Sequence, residues 1–227
     1  MNNHRLIVAL DFYSWSKALE FAEKYLDPKK HIIKIGHKLI FGDIYLLSEG
    51  LPRFISKGFK VFLDTKFYEI PSIVGDAIGD LVYNRLWALT IHAQGGKKMI
   101  KTAVHASYET NILAVTKLTT CNASKKKIKK LGKRAYNCGA NGIICSPADL
   151  PLFKNLQFLK VTPGIRLDEQ HIDNDDQVRI DTPFNAFKNG ATHIVVGRPI
   201  TEATDPDLVI AEIETQIEEG LKLQHNI

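Results

Sequence analysis

The sequence predicts an α/β protein that folds as a single (β/α)8 TIM barrel over residues 1–227. Short apolar runs alternate with segments of helical period along the whole chain. The apolar runs are continuous, as in parallel strands that are buried on both faces. Eight such units also fit a chain of 227 residues. A doubly wound open sheet is the alternative, but it usually has fewer strands, and no G-x-G-x-x-G follows the first one.

The predicted strands are the apolar runs, in chain order. They lie at residues 5–11, 31–36, 60–67, 86–93, 111–118, 142–146, 158–164 and 193–200. Each run precedes a segment with helical period. The predicted helices lie at residues 14–26, 43–57, 71–83, 96–107, 123–138, 147–154, 183–188 and 206–223.

Residues that favour helix ends support these boundaries. Proline costs little near a helix start, where its missing N–H would have no partner. Four predicted helices have one there: Pro71, Pro147, Pro183 and Pro206. Ser124 is a candidate N-cap for the fifth helix. The glycines of residues 139–142 and Gly190 stand where helices end, which is typical of C-caps.

Composition and charge narrow the class of protein. No stretch approaches the roughly 18–20 uninterrupted apolar residues that a membrane helix needs, and the N-terminus meets a charge at Asp11 before any secretory apolar core forms. Three cysteines without a C-x-x-C pair favour reduced thiols in a cytosol. The net charge of +5 includes a basic run at 125–130, but no aromatic residue interleaves it. We interpret the basic run as the solvated face of a helix, and a small anionic substrate would explain the mild positive charge equally well. We therefore expect a cytoplasmic protein that binds neither a nucleic acid nor a membrane.

Charged side chains collect at the predicted carboxyl ends of the strands, where barrels carry their active sites. Asp64 and Lys66 are two residues apart, so they share one face of the third strand, which we expect to be the axial face. Asp11 and Lys34 would reach the same mouth from the first two strands. Buried charges must be paired, and alternating acids and bases provide that pairing and keep the lysines protonated. A protonated lysine in a dry pocket can donate a proton, although a structural salt bridge is the alternative.

A phosphate site is predicted beside strands seven and eight. Gly197 and Arg198 lie at the carboxyl end of predicted strand eight, where barrels bind phosphate through backbone N–H groups, and arginine adds bidentate contacts. Residues 165–182 form a long polar segment, which we predict to be a lid over the phosphate. Arg166 or Gln177 could reach the site from this lid. A surface arginine and a simple mobile loop are the alternatives.

Two further features are not assigned to catalysis. His92 ends strand four without a base, a nucleophile or a metal partner nearby in sequence, which favours a packed, hydrogen-bonded residue. Lysines separate the carboxylates of Asp11 and Asp64 and would repel a metal cation. We therefore predict no metal site.

Taken in order, the strand-end motifs resemble the orotidine 5′-phosphate decarboxylase family over nearly the whole chain. Each motif alone is weak, but the combination is specific. The motifs are A-L-D (9–11), K-I-G (34–36), L-D-T-K-F-Y-E-I-P (63–71), I-H-A-Q-G-G (91–96), A-V-T-K-L-T (114–119), V-T-P-G-I-R (161–166), D-D-Q-V-R (175–179) and V-V-G-R-P-I (195–200).

The resemblance implies a homodimer that decarboxylates orotidine 5′-monophosphate (OMP) to UMP in pyrimidine biosynthesis, without a metal or an organic cofactor. It implies that Lys66 protonates C6 of the pyrimidine and that Asp64 lies beside the departing carboxylate. Further substrate contacts are implied for Asp11, Lys34, Ile70, Thr119, Arg166, Gln177, Gly197 and Arg198.

Glu69 and Ile73 depart from the family pattern D-x-K-x-x-D followed by I-P-x-T. In the family, the second acid enters the partner subunit's site. Glutamate reaches about 1 to 1.5 Å farther than aspartate, and a misplacement of that size can cost on the order of a hundredfold in rate. Ile73 lacks the hydroxyl of the family's threonine. We expect an active enzyme whose dimer packing accommodates Glu69.

Two alternative functions remain open at this point. A related magnesium-dependent sugar-phosphate lyase or synthase shares the Asp-x-Lys-x-x-Asp array, but it carries an acid on strand two, where this chain has Lys34. A barrel that binds phosphate with impaired catalysis is the second alternative, and Glu69 and Ile73 are its support.

Overall fold

The computed structural model describes residues 4–42, 47–118, 123–167 and 180–224. Within them, parallel strands close into a barrel in which each strand pairs with its neighbours in sequence and β8 pairs with β1. The strands are β1 (Leu6–Ala9), β2 (His31–Ile35), β3 (Lys60–Phe67), β4 (Ala88–His92), β5 (Asn111–Val115), β6 (Gly142–Ile144), β7 (Leu159–Thr162) and β8 (His193–Val196). The predicted (β/α)8 barrel is confirmed.

Helices pack around the barrel and connect its strands. They are α1 (Trp15–Tyr25), α2 (His37–Gly42), α3 (Leu47–Ser56), α4 (Pro71–Val82), α5 (Gly96–Ala106), α6 (Lys125–Asn137), α7 (Pro183–Lys188), α8 (Arg198–Thr201) and α9 (Pro206–Gln224). Two 3₁₀ segments lie at Ala93–Gly95 and Pro147–Phe153. No helix in the described ranges is both long enough and apolar enough to cross a membrane.

Most predicted helix boundaries agree with these elements. Ser124 caps α6 by accepting a hydrogen bond from the backbone N–H of Lys127, and Gly139 and Gly190 adopt the positive φ of C-caps. The prediction for 147–154 needs correction, because this segment is a 3₁₀ helix with Pro151 inside it, and proline cannot donate the i→i−4 hydrogen bond of an α-helix. The short helices α2 and α8 were not predicted. The predicted strand 193–200 is too long, because β8 ends at Val196 and α8 begins at Arg198.

The core has two layers, which fix the direction of each strand residue. An inner layer fills the barrel with residues that include Ile7, Ala9 and Phe62. A larger outer layer lies between the strands and the helices, and Val61 and Leu63 belong to it. Side chains of β3 therefore alternate between the barrel axis and the helices up to Leu63, as predicted.

The inner layer has an aromatic and basic group near the amino ends of the strands. The imidazole of His193 stacks on the indole of Trp87 at 5.2 Å between ring centroids, and Trp87 also meets the ring of Phe62 edge-on. The Nδ1 atom of His193 lies 3.0 Å from the hydroxyl of Thr192. His193 is buried, so its charged form loses most of its hydration.

This histidine predicts a loss of stability in mild acid. Burial, together with the nearby Arg5, His4 and Lys60, lowers the pKa of His193 to about 3. The folded state therefore keeps His193 neutral, whereas the unfolded chain takes up a proton near pH 6.5. Stability is lost as the pH falls below about 6.5, and at pH 5 this one group costs about 2 kcal/mol.

Denaturant unfolding at pH 7.5 and pH 5.0 measures this effect, with His193→Gln compared with wild type. We expect the free energy of unfolding to fall less between the two pH values in the variant than in wild type. An equal fall in both proteins would contradict the assignment, whatever the variant's stability at pH 7.5.

Candidate active site

The end of β3 leaves regular strand geometry at the barrel mouth. The register between β3 and β4 shifts between Leu63 and Phe67, and Lys66 adopts a φ of 50°, a region that non-glycine residues rarely occupy. Thr90 of β4 holds this turn. Its hydroxyl accepts a hydrogen bond from the backbone N–H of Lys66 at 2.8 Å, and its carbonyl oxygen accepts one from the hydroxyl of Thr65 at 2.8 Å.

Four charged side chains of alternating sign form a continuous array at this mouth. The Oδ2 atom of Asp64 lies 2.5 Å from the Nζ atom of Lys66 and 3.8 Å from that of Lys34. Lys34 also donates to Oδ1 of Asp11 at 3.1 Å. The other oxygen of Asp64 accepts a hydrogen bond from the hydroxyl of Thr90 at 2.8 Å. The four residues lie together, as the strand-end pattern predicted.

Strand register explains how Lys34 joins the array. Lys34 pairs with Ala9 on one side and with Phe62 on the other, and both neighbours belong to the inner layer. Gly36 allows the close approach, because a Cβ atom there would lie 2.9 Å from both Oδ1 of Asp11 and Nζ of Lys34. The K-I-G motif therefore supplies a cation and the space that it needs.

Electrostatics keep the central carboxylate ionised. Burial alone would raise the pKa of Asp64, but the ammonium groups of Lys34 and Lys66 and the hydrogen bonds from Lys66 and Thr90 outweigh it, and the net pKa is lowered. Asp64 and Lys34 are both more than nine-tenths buried. An ionised carboxylate between two ammonium groups fixes the position of both lysines.

A cavity of about 250 Å³ opens beside the array. Its lining includes Asp11, Lys34, Asp64 and Lys66 from the ends of the first three strands, and Arg166, Gly197 and Arg198 from beyond β7 and β8. The backbone at Gly197 precedes the first turn of α8, and the buried guanidinium of Arg166 donates to the carbonyl oxygen of Ile165 at 2.8 Å. The cavity therefore offers an acid–base array and an arginine-rich rim to one ligand.

Several predicted site residues lie elsewhere. Glu69 is exposed, and its Oε1 atom accepts a hydrogen bond from the backbone N–H of Ile70 at 2.7 Å. Ile70 does not line the cavity of its own chain, because it follows the turn after β3 and is 58% exposed at the start of α4. Thr119, Gln177 and most of the predicted lid lie outside the described residues. The two ends of the lid segment meet in a bridge between Ile165 and Asp181.

His92 differs in part from its prediction. Its ring packs against the ring of Tyr68 at 5.7 Å between centroids, but its buried Nδ1 atom has no hydrogen-bond partner among the residues that the structure describes. Burial and then the charge of Lys66 lower the pKa of His92, so the ring is neutral at pH 7. The predicted packing is present and the hydrogen bond at Nδ1 is missing.

Sequence reasoning missed two residues of this site. Thr90 contacts Asp64 and Lys66, and its signal was a lone buried hydroxyl in the apolar run A-L-T-I-H. Lys117 lines the cavity, and its signal was its position two residues beyond the inward-facing Val115. Across the described ranges, no three His, Cys, Asp or Glu side chains are grouped so that they could hold a metal ion.

Known proteins resemble this chain over nearly its whole length. Residues 4–213 match the family model described as "Orotidine 5′-phosphate decarboxylase / HUMPS family". A curated orotidine 5′-phosphate decarboxylase from Nitrosospira multiformis is 34% identical over 235 residues, which cover 96% of each chain. One from Oenococcus oeni is 37% identical over 232 residues, covering 95% of this chain and all of the relative. The crystal structure of orotidine 5′-phosphate decarboxylase from Lactobacillus acidophilus superposes with a TM-score of 0.80 at 31% identity, covering 94% of this chain and 99% of that one.

Proposed function

The chain belongs to the orotidine 5′-phosphate decarboxylase / HUMPS family, and we infer from this premise that it decarboxylates OMP to UMP in pyrimidine biosynthesis. One observation carries the inference. The array of Asp11, Lys34, Asp64 and Lys66 shares a single cavity with Arg166 and Arg198. Such a cavity suits a ligand that has a phosphate at one end and a reacting anion at the other.

The sugar-phosphate alternative within this family is disfavoured by Lys34. That reading requires an acid on the second strand to help hold magnesium. Here the second strand supplies an ammonium group that is paired with Asp11 and Asp64. A cation at this position opposes metal binding. The alternative of impaired catalysis is disfavoured because the acid–base array is intact.

The first part of the proposed mechanism is binding of the phosphate. The guanidinium groups of Arg166 and Arg198 suit bidentate contacts to phosphate oxygens, and the backbone at Gly197 adds N–H donors nearby. Asp11 and Lys34 face the ribose hydroxyls between the phosphate and the reacting carbon. Binding energy from the phosphate, which does not react, can then support closure over the ring.

The second part is loss of CO2 and protonation. The bond between C6 and the carboxylate breaks, the electron pair stays on C6, and CO2 leaves. The Nζ atom of Lys66 then gives a proton to C6 and is later reprotonated by solvent. Asp64 lies beside the departing carboxylate and holds the Lys66 ammonium in place at 2.5 Å. A cation fixed before the reaction stabilises the carbanion without reorganisation.

A lid made of residues 165–182 is part of the proposal. Its described ends are joined by the bridge between Ile165 and Asp181, and its first arginine, Arg166, already lines the cavity. A lid over this rim would exclude water and strengthen every charge interaction inside. Gln177 of the lid and Thr119, beyond β5, would add contacts to phosphate and base respectively.

A cytoplasmic homodimer completes the proposal. Apolar side chains surround Glu69 on the surface, where Tyr68 is 64%, Ile70 58% and Ile73 51% exposed. Exposed apolar side chains that cluster in this way often mark a protein interface. Within a dimer, Glu69 would leave its bond to the N–H of Ile70 and enter the partner's cavity, with Ile70 beside it.

A metal-free assay tests the function. Wild-type protein in excess chelator, followed by the loss of OMP absorbance, is expected to turn over at the same rate as protein supplied with magnesium. The measurement compares kcat in excess chelator with kcat in added magnesium, at the same ionic strength. A rate that depends on magnesium would support the sugar-phosphate class, and absence of turnover in both conditions would contradict the proposed reaction.

Substitution of Glu69 tests how the longer acid is seated. We expect Glu69→Asp to lower kcat/KM by about tenfold to a hundredfold, because a dimer packed around glutamate leaves the shorter carboxylate about 1 Å from its best position. Glu218→Asp, an exposed change on α9, is the matched control. A large gain in turnover on Glu69→Asp would mean instead that the glutamate is poorly placed.

A further inference from the structure

Lys117 is a cation on the cavity wall to which the proposed mechanism gives no role. Val115 belongs to the inner layer, and the hydroxyl of Thr116 donates to the carbonyl oxygen of Ile144 at 3.0 Å. Because side chains alternate along an extended chain, the next residue returns to the inner side. Lys117 accordingly lines the cavity and is half-buried.

The charge of Lys117 is not neutralised within the described part of the chain. Lys34 and Lys66 each pair with a carboxylate, whereas Lys117 forms no ion pair with any described acid. The charge of Lys117 nevertheless acts on His92 at the end of the neighbouring strand β4. The pKa of His92 is lowered by burial, then by Lys66 and then by Lys117. A half-buried ammonium that has no ion pair with the described acids can form a charge-assisted hydrogen bond with an acceptor that a ligand brings.

The order of the strands places Lys117 opposite the groups already assigned. The phosphate rim comes from the ends of β7 and β8, and the reacting carbon faces Lys66 at the end of β3. The sector between them, from β4 to β6, is left for the far edge of the pyrimidine ring. That edge carries the ring carbonyl oxygens, and Lys117 follows β5, in the middle of this sector.

We propose that Lys117 donates a hydrogen bond to a carbonyl oxygen of the pyrimidine ring and stabilises the negative charge that develops as CO2 leaves. This inference rests on the proposed function. The ring is neutral in bound OMP and gains an electron pair when the bond at C6 breaks. A cation at a ring oxygen therefore interacts more strongly with the transition state than with the substrate. Lys66 gives its proton to C6, and Lys117 keeps its own.

Kinetics of two variants test the role. Lys117→Met removes the charge and keeps most of the length of the side chain, and Lys117→Arg keeps the charge. We expect Lys117→Met to lower kcat about tenfold to a hundredfold while KM changes less than about threefold, because the lost interaction belongs to the transition state. Lys117→Arg should retain kcat within about tenfold of wild type. Lys117→Gln replaces the methionine variant if that variant does not fold.

Binding of two nucleotides provides a readout that a structural role would not move. UMP has a neutral ring, whereas 6-hydroxy-UMP loses a ring proton and carries an anionic oxygen at C6. We expect Lys117→Met to weaken binding of the ionised analogue about tenfold more than binding of UMP. Equal weakening of both ligands, or an unchanged kcat, would overturn the proposal.

The same measurements separate this inference from the function on which it rests. A wild-type protein that binds UMP but does not decarboxylate OMP contradicts the proposed function. A wild-type protein that is active, together with a fully active Lys117→Met, contradicts only the role of Lys117.

Discussion

Replacing Lys66 by alanine is expected to lower kcat for OMP decarboxylation by at least about four orders of magnitude. The change removes the proposed proton donor and the cation closest to the developing carbanion. Proton donation alone contributes about 10² to 10⁴ in rate, and a preorganised charge contributes a further 10² to 10³. The alanine side chain offers neither, and water in a closed site is a poor substitute for both.

We expect the Lys66→Ala variant to fold, so a loss of activity would report the loss of the chemical step. Without Lys66, the buried carboxylate of Asp64 keeps the hydrogen bond from Thr90 at 2.8 Å and the ammonium of Lys34 at 3.8 Å. Asp64 is therefore not left as an unpaired buried charge, which would cost several kcal/mol. We expect the variant to bind UMP and to unfold cooperatively.

The measurement is the metal-free absorbance assay, with UMP affinity and thermal unfolding measured on the same preparations. Lys101→Ala, an exposed lysine of α5, is the control for removal of a positive charge. A Lys66→Ala protein that retains more than about one hundredth of wild-type kcat would exclude Lys66 as the proton donor.

The barrel and the clustering of Asp64 with Lys66 were predictable because they depend on short-range rules. Continuous apolar runs predict the strands. The alternation of side chains along a strand predicts that these two residues share one face at the barrel mouth. The way in which Lys66 reaches that mouth was not predictable. It depends on a register shift, a positive φ and two hydrogen bonds to Thr90, and these arise from contacts between β3 and β4.

The role proposed for Glu69 depends on a second subunit, and a single chain does not contain the groups that this subunit would supply. The sequence does not predict where the side chain of Glu69 points. Within one chain, its carboxylate accepts a hydrogen bond from the N–H of Ile70. That local bond is available to any glutamate at the start of α4, so in the proposed dimer the partner's cavity would have to compete with it. The exposed Ile70 and Ile73 have the same property, because their environment depends on what covers them.

A mixed dimer distinguishes a glutamate that serves its own site from one that serves the partner's. The two subunits carry Lys66→Ala and Glu69→Ala respectively, are expressed together with different affinity tags, and are isolated as the heterodimer. We expect each homodimer to lose at least about a hundredfold in kcat/KM. If Glu69 acts across the interface, one site of the heterodimer joins an intact Lys66 to an intact Glu69 from the other subunit. Symmetry then predicts about half of the wild-type activity per dimer.

The control heterodimer pairs Lys66→Ala with Asp64→Asn. Asp64 and Lys66 of one chain form a 2.5 Å ion pair in the same cavity, so each subunit of this heterodimer carries one defect within its own site. No arrangement of the two subunits restores a complete site, and activity should remain at the level of the parent homodimers. If the Lys66→Ala and Glu69→Ala heterodimer is equally inactive, Glu69 acts within its own chain. Its exposed position would then require a movement of the turn after β3, and the case for a shared active site would fail.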